Sequence, residues 1–285
     1  MAGGGGLARA LLISLVVVFS AHALVYFLVN VLPDAALVAL GIQGANQDVL
    51  SAFQAAVQRR SYLESLLGVL QLDLGRTLDS VPVVDELAQG ARDSGPRVLG
   101  SLIIIFGTVL LVAFARRVPR LAFSVVSFLP PYVIASLALL VVLAASVATP
   151  GNPLLELMAA LAIAVSPAAL LAEQTAGITA RNLASDFKRT MAAAGASNGF
   201  IRRKLLANLA AELTPSLDKA LVALLASLMF AEPILGLSGV GTMTVRAVRR
   251  ADPELLIGVT FFFATCVATT RVLAVLIRRR FGLAG

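Results

Sequence analysis

The chain has 285 residues, of which 59% are apolar (Ala, Val, Ile, Leu, Met, Phe, Trp, Tyr, Cys) and 14% are charged, with a formal net charge of +7. Soluble domains carry roughly 25% charged residues, so this chain has too little polar surface to cover a water-soluble particle. The abundant Leu, Val and Ala exclude a disordered chain, and the single cysteine, Cys266, excludes a disulfide scaffold. We predict an all-α, polytopic membrane protein that contacts the lipid bilayer, and we expect no nucleic-acid partner.

Six apolar stretches are long enough, or nearly so, to cross the hydrocarbon core, which requires about 20 residues. They cover residues 11–32, 98–115, 121–147, 154–172, 220–237 and 255–277. In the third stretch Pro130-Pro131 predicts a kink or an interrupted helix, because proline removes a hydrogen-bond donor. The predicted organisation is an N-terminal tail and first helix (1–32), an external segment (33–97) and a core with five spans (98–285).

The first stretch has an alternative interpretation as a cleaved signal peptide. Arg9, the hydrophobic run and Ala21-His22-Ala23 resemble the three parts of such a signal. The apolar run continues to Leu32, which favours a retained span.

Charges between the spans predict the orientation. With the N-terminus in the cytoplasm, the inner segments hold fourteen basic and four acidic residues, and the outer segments hold eight basic and ten acidic residues. The inner segments then carry +10 and the outer segments −2, as the positive-inside rule requires. Both termini are therefore predicted inside. Arg246, Arg249 and Arg250 form a basic cluster on the outer side.

Ionisable side chains at membrane depth are costly and usually functional. In the predicted spans Glu156, Glu173, Glu232 and Arg271 lie only near the ends, which argues against a proton-coupled transporter or a voltage sensor. His22, the only histidine, is expected to pack between helices or to line a cavity.

Metal-site and P-loop motifs are missing from the sequence. One histidine and one cysteine cannot build a zinc site of the usual kind, and H-E-x-x-H does not occur. The lysine of a phosphate-binding P-loop follows glycine, whereas the three lysines here follow Phe187, Arg203 and Asp218. We expect no enzyme activity and no cofactor bound by this chain, so energy for uphill transport has to come from a partner.

A basic, amphipathic segment at 180–217 is the predicted ordered surface on the inner side. Asp186 is predicted to cap a short helix that ends at Ala194, and Gly195 to permit a sharp turn. A second helix follows, whose apolar face carries Phe200, Ile201, Leu205 and Leu209. The alternative is an ordinary positively charged loop that only sets topology.

Residues 188–197 (KRTMAAAGAS) resemble the EAA loop of ABC importer permeases, in the R-T-A-x-x-x-G form of the dipeptide, oligopeptide and nickel permeases. Four other stretches resemble that family in the same order: residues 32–34 (LPD), 72–77 (LDLGRT), 232–241 (EPILGLSGVG) and 251–253 (ADP). Three positions depart from the family's pattern. The glutamate of the EAA motif is absent. Asn208 lies near the position of one proline that the family carries, and Ser238 stands in place of a second such proline.

The resemblance implies the type I importer permease fold in a bacterial inner membrane. It implies one permease subunit that works with a second, homologous permease, two ATPase subunits that bind ATP and Mg, and an extracytoplasmic substrate-binding protein. Peptides are the expected substrate class. The implied ATPase-coupling residues are Lys188, Arg189, Thr190, Ala192, Ala193, Ala194, Gly195, Ala196 and Ser197. Those implied to face the binding protein are Glu232, Gly239, Gly241, Arg246, Arg249, Arg250 and Asp252.

Several alternatives stay open from the residues alone. The three outer arginines could pair with acids on a binding protein or lie among lipid headgroups. Ser124, Ser127, Ser136 and Ser166 could line a path, although packing contacts are the expectation for most of them. The chain as a whole could be a self-sufficient secondary transporter or channel, or a membrane scaffold.

Overall fold

The computed structural model describes residues 4–30, 61–71, 73–115, 120–146, 149, 151–184, 190, 193–250 and 252–280. These residues are mostly helical, and they form no β-strand beyond one isolated bridge between Arg76 and Pro82. The helices are α1 (Gly4–Asn30), α2 (Tyr62–Leu70), α3 (Val83–Phe114), α4 (Arg120–Ser127), α5 (Pro131–Ala144), α6 (Pro153–Ala184), α7 (Asn198–Leu213), α8 (Leu217–Ile234), α9 (Val240–Arg249) and α10 (Pro253–Arg280). The predicted all-α class is confirmed for this part of the chain.

Four of these helices, α1, α3, α6 and α10, are long and apolar enough to cross a membrane. Helices α4 and α5 make a fifth candidate if they count as one span, and they meet at an angle of 98°. The predicted interruption at Pro130-Pro131 is therefore confirmed. The predicted fifth span, α8, has 18 residues and includes Asp218, Lys219 and Glu232, so it does not qualify on length and composition. The described part thus offers four or five candidate spans, where the apolar stretches predict six.

Two helices extend well beyond the apolar runs that predict them. Helix α3 begins at Val83 rather than Val98, so the end of the predicted external segment is the first half of a helix. Helix α6 continues to Ala184, well past Glu173, which the apolar run places near the end of its span. Glu173 lies about three turns before the end of the helix.

The chain divides into two compact units. The first unit comprises the described residues within Met1–Ala10, Arg97–Leu235 and Thr270–Gly285. Its central element is α6, which contacts α4, α5, α7 and α8. Ala159, Ala164 and Ala172 of α6 are fully buried. Small side chains at these positions allow neighbouring helices to approach closely, which is the usual basis of helix association in lipid.

The second unit comprises the described residues within Leu11–Pro96 and Gly236–Thr269. Its apolar core includes Val83, Val240, Leu255 and Val259, all nearly inaccessible. The Cα of Gly258 approaches Val83 so closely that an added Cβ would overlap the valine Cγ1. This helix contact therefore requires glycine.

Gly258→Ala is expected to destabilise the protein by about 1–3 kcal/mol, because an extra methyl in a filled site forces its neighbours to move. Gly107→Ala in α3 is the matched control, since no described atom of another element lies within 4 Å of the added Cβ. The control should be neutral or stabilising by up to about 1 kcal/mol, because alanine is the better helix former. Unfolding in mixed micelles followed by circular dichroism measures both, and equal stabilities would contradict this packing.

Candidate functional site

The turn between α6 and α7 holds six of the nine residues predicted to couple to an ATPase. Those six are Thr190, Ala193, Ala194, Gly195, Ala196 and Ser197, and all but the half-buried Ala196 are exposed. Lys188, Arg189 and Ala192 lie outside the described residues, as does Asp186, the predicted helix cap. The described part of this turn therefore presents mainly small side chains at the surface.

The local geometry of this turn follows from its sequence. The amide of Ala194 donates to the carbonyl of Thr190 at 2.9 Å, which closes one helical turn. Gly195 then adopts φ +78°, a conformation that side chains other than glycine disfavour. Ser197 is the N-cap of α7, and its Oγ accepts from the amide of Phe200 at 3.3 Å. The predicted sharp turn at Gly195 is confirmed.

Helix α7 packs one apolar side on the rest of the first unit. Ile201, Leu209 and Leu213 are buried, and Leu209 and Leu213 belong to the same core as Leu171 and Ile178 of α6. The predicted second helix is confirmed. Phe200 departs from the prediction, because it is 45% exposed. The side chain of Leu205 is not among those that the structure describes.

Polar side chains also join α7 to the last turn of α6. Arg181 Nη2 donates to Glu212 Oε2 at 2.8 Å. Asn208 Nδ2 lies 3.1 Å from Asn182 Oδ1 and 3.0 Å from Glu212 Oε1. The ion pair is largely exposed and contributes at most about 1 kcal/mol, so these contacts mainly fix the orientation of α7.

A second charged cluster joins three helices within the first unit. Arg97 of α3 donates from Nη1 to Glu232 Oε1 at 2.8 Å and from Nε to Glu156 Oε2 at 2.6 Å. Glu232 is fully buried and Arg97 is 6% exposed. The resemblance implies that Glu232 faces a binding protein, whereas in this structure its carboxylate points into the molecule at Arg97.

Three more residues predicted to face a binding protein are buried inside the second unit. Gly239 and Gly241 lie at the start of α9. Asp252 is 4% exposed, and its carboxylate accepts from the amides of Leu255 at 3.1 Å and Leu78 at 2.9 Å. Asp252 thus caps α10 and holds the turn before α3, a structural role that leaves no free carboxylate for a partner.

The three outer arginines remain at the surface. Arg246 pairs with Glu86, and Arg250 Nη1 lies 2.5 Å from Asp79 Oδ2. Arg249 is exposed, and no ion pair of its side chain occurs among the described residues. Two of the three charges are therefore partly neutralised within the chain.

An apolar cavity of about 810 Å³ lies within the first unit. Its lining comes mainly from α3, α7 and α8 and includes Ile105, Leu209, Leu213 and Leu224. A lining of this kind offers shape but few directional hydrogen bonds, so it does not by itself select a solute.

Comparison of the chain with protein-family models gives no match, and comparison with curated protein sequences gives none either.

Sequence reasoning misses the roles of Arg97, which is the ion-pair partner of Glu232, and of Glu156, which pairs with the same arginine. A weak signal exists, since each of the three is an isolated charge beside an apolar run. The pairing itself depends on how α3, α6 and α8 pack, which the spacing of residues along the chain does not reveal.

Arg97→Met is expected to destabilise the protein by about 3–5 kcal/mol, because it leaves the buried carboxylate of Glu232 without its countercharge. The double variant Arg97→Met/Glu232→Met should recover most of that loss. Arg181→Met is the control for an exposed pair and should cost no more than about 1 kcal/mol. Unfolding in mixed micelles tests all three, and a double variant as unstable as Arg97→Met would refute the pairing.

Proposed function

We propose that the chain is one permease subunit of a heteromeric, ATP-driven ABC importer. The observation that carries this proposal is the exposed turn at Gly195, whose small residues lead directly into a helix packed on α6. The resemblance of residues 188–197 to the coupling loop of the dipeptide, oligopeptide and nickel permeases supports the same function.

In this proposal the turn docks into a groove on an ATPase subunit. Small side chains at Ala193, Ala194 and Gly195 allow close approach of the two surfaces, and Lys188 and Arg189 supply charge for orientation. Movement of the ATPase then displaces α7, and α6 follows because apolar and polar contacts join the two helices. Such rigid-body motion changes which side of the membrane the path opens to.

The remaining subunits are those that the resemblance implies. Without a P-loop lysine this chain does not hydrolyse ATP by that machinery, and in the proposal two partner ATPases bind ATP and Mg. A second, homologous permease completes the path in a bacterial inner membrane. A substrate-binding protein delivers the solute, a peptide, to the outer side, where Arg249 is the arginine best placed for an acidic partner.

Ala194→Glu and Gly195→Trp are expected to abolish ATPase coupling and transport, because a charge or a large side chain prevents close docking. Membrane insertion should stay normal. Ala145→Glu is the matched control, an exposed alanine just after α5 on the predicted outer side. The measurements are co-purification of the ATPases in mild detergent and substrate-stimulated ATP hydrolysis of the complex.

Two results would contradict the proposal. One is normal substrate-stimulated ATPase activity in either variant. The other is purification of this chain as an active transporter with no ATPase bound, which would identify a secondary transporter or channel.

A further inference from the structure

Glu173 is a carboxylate inside a candidate span, and hydroxyl groups from α4 surround it. Ser124 Oγ donates to Glu173 Oε1 at 2.9 Å. Ser127 Oγ lies 3.5 Å from Glu173 Oε2 but 2.8 Å from the carbonyl of Ser124. A hydroxyl has one proton to donate, and the shorter contact takes it. Glu173 Oε2 therefore keeps most of its capacity to accept a hydrogen bond.

The end of α4 adds one further acceptor, on the residue that carries the second hydroxyl. The carbonyls of residues 124–126 already accept from the amides of Phe128 and Leu129. Among the described residues the Ser127 carbonyl accepts no such bond, because Pro130 and Pro131 have no N–H. The C-terminal end of a helix also carries partial negative charge. The broken span thus leaves Ser127 with a hydroxyl oxygen and a carbonyl oxygen that can both accept.

No basic side chain forms an ion pair with Glu173 in the part of the chain that the structure describes. A carboxylate at membrane depth that no described cation neutralises is costly, and such residues usually mark a functional site. One carboxylate supplies a single negative charge, whereas divalent cations are usually held by several charged oxygens. The ligand that complements this carboxylate is therefore a singly charged cation that donates hydrogen bonds.

We propose that Glu173 and the hydroxyl and carbonyl oxygens of Ser127 bind the primary ammonium group of a solute. An ammonium group has three N–H donors and no acceptor, and this site offers a carboxylate oxygen, a hydroxyl oxygen and a backbone carbonyl. The amino terminus of a peptide carries such a group. That the solute is transported rests on the proposed function, whereas the binding does not.

The test is equilibrium binding of radiolabelled methylammonium to the full-length chain in lipid nanodiscs, together with any subunits that co-purify. The unmodified protein should bind it saturably. Glu173→Gln should weaken binding at least about tenfold, since it removes a charge-assisted hydrogen bond. Ser127→Ala should weaken it by a smaller factor, and Glu173→Asp, which keeps the charge, should fall between the two.

Matched controls come from the same chain. Asp93→Asn removes an exposed carboxylate that contacts Gln89, and Ser136→Ala removes a hydroxyl that bonds only to the carbonyl of Tyr132 in the described structure. Both should bind methylammonium as the unmodified protein does. A monodisperse elution profile for each variant shows that it is folded.

Three results would overturn the proposal. The first is methylammonium binding that Glu173→Gln leaves unchanged, or no saturable binding at all. The second is radiolabelled sodium that binds through Glu173 and is not displaced by methylammonium, which would make this a metal-ion site. The third is methylammonium binding that appears only in the Arg120→Gln variant. That result would mean that Arg120, the first residue of α4, is the countercharge of Glu173 in the unmodified protein.

The outcome is separable from that of the proposed function. If the chain works without an ATPase, methylammonium binding still depends on Glu173. If the ATPase complex is confirmed and Glu173→Gln binds methylammonium normally, only the ammonium site is wrong.

Discussion

A charge inside an apolar helix has to find its partner in the protein, because lipid offers none. The first unit follows this constraint at three places. Arg97 is held by Glu156 and Glu232, Arg271 by Asp218, and Glu173 by the hydroxyl of Ser124. Each contact joins two different helices. The few charges of this chain therefore specify which helices are neighbours, whereas its abundant apolar residues can pack against many surfaces.

Helix α6 takes part in most of these specific contacts. Glu156 in its first turn reaches α3, Glu173 farther along reaches α4, and Arg181 and Asn182 in its last turns reach α7. Between these points Ala159, Ala164 and Ala172 are fully buried. A close-packed helix transmits displacement instead of absorbing it. A push on the turn at Gly195 would therefore reach both the carboxylate of Glu173 and the Arg97 cluster through one rigid element.

The sequence predicts the features of this molecule that are local. Gly195 permits a turn and Pro130-Pro131 breaks a helix for reasons that lie within a few residues, and both are found. Hydropathy predicts the ends of helices less accurately, because a polar residue can interrupt an apolar run without ending the helix. This is the case for Asp85 and Glu86 in α3 and for Gln174 in α6. Tertiary contacts are the least accessible. Glu232 and Asp252 look like exposed polar residues of a loop motif. In the structure both are buried, and Glu232 accepts from Arg97 whereas Asp252 accepts from the amide of Leu78.

The position of Glu173 bears on how transport would be energised. A proton-coupled carrier passes protons along a series of ionisable groups, whereas the side chains that contact Glu173 among the described residues are serines. Serine hydroxyls do not ionise near neutral pH. They can therefore orient the carboxylate, but they do not act as successive ionisable groups of a proton relay. An isolated carboxylate beside a broken helix is better suited to recognising a charged solute than to driving one uphill. In the two proposals recognition and energy supply belong to different places, the first to the bend between α4 and α5 and the second to the surface beside Gly195.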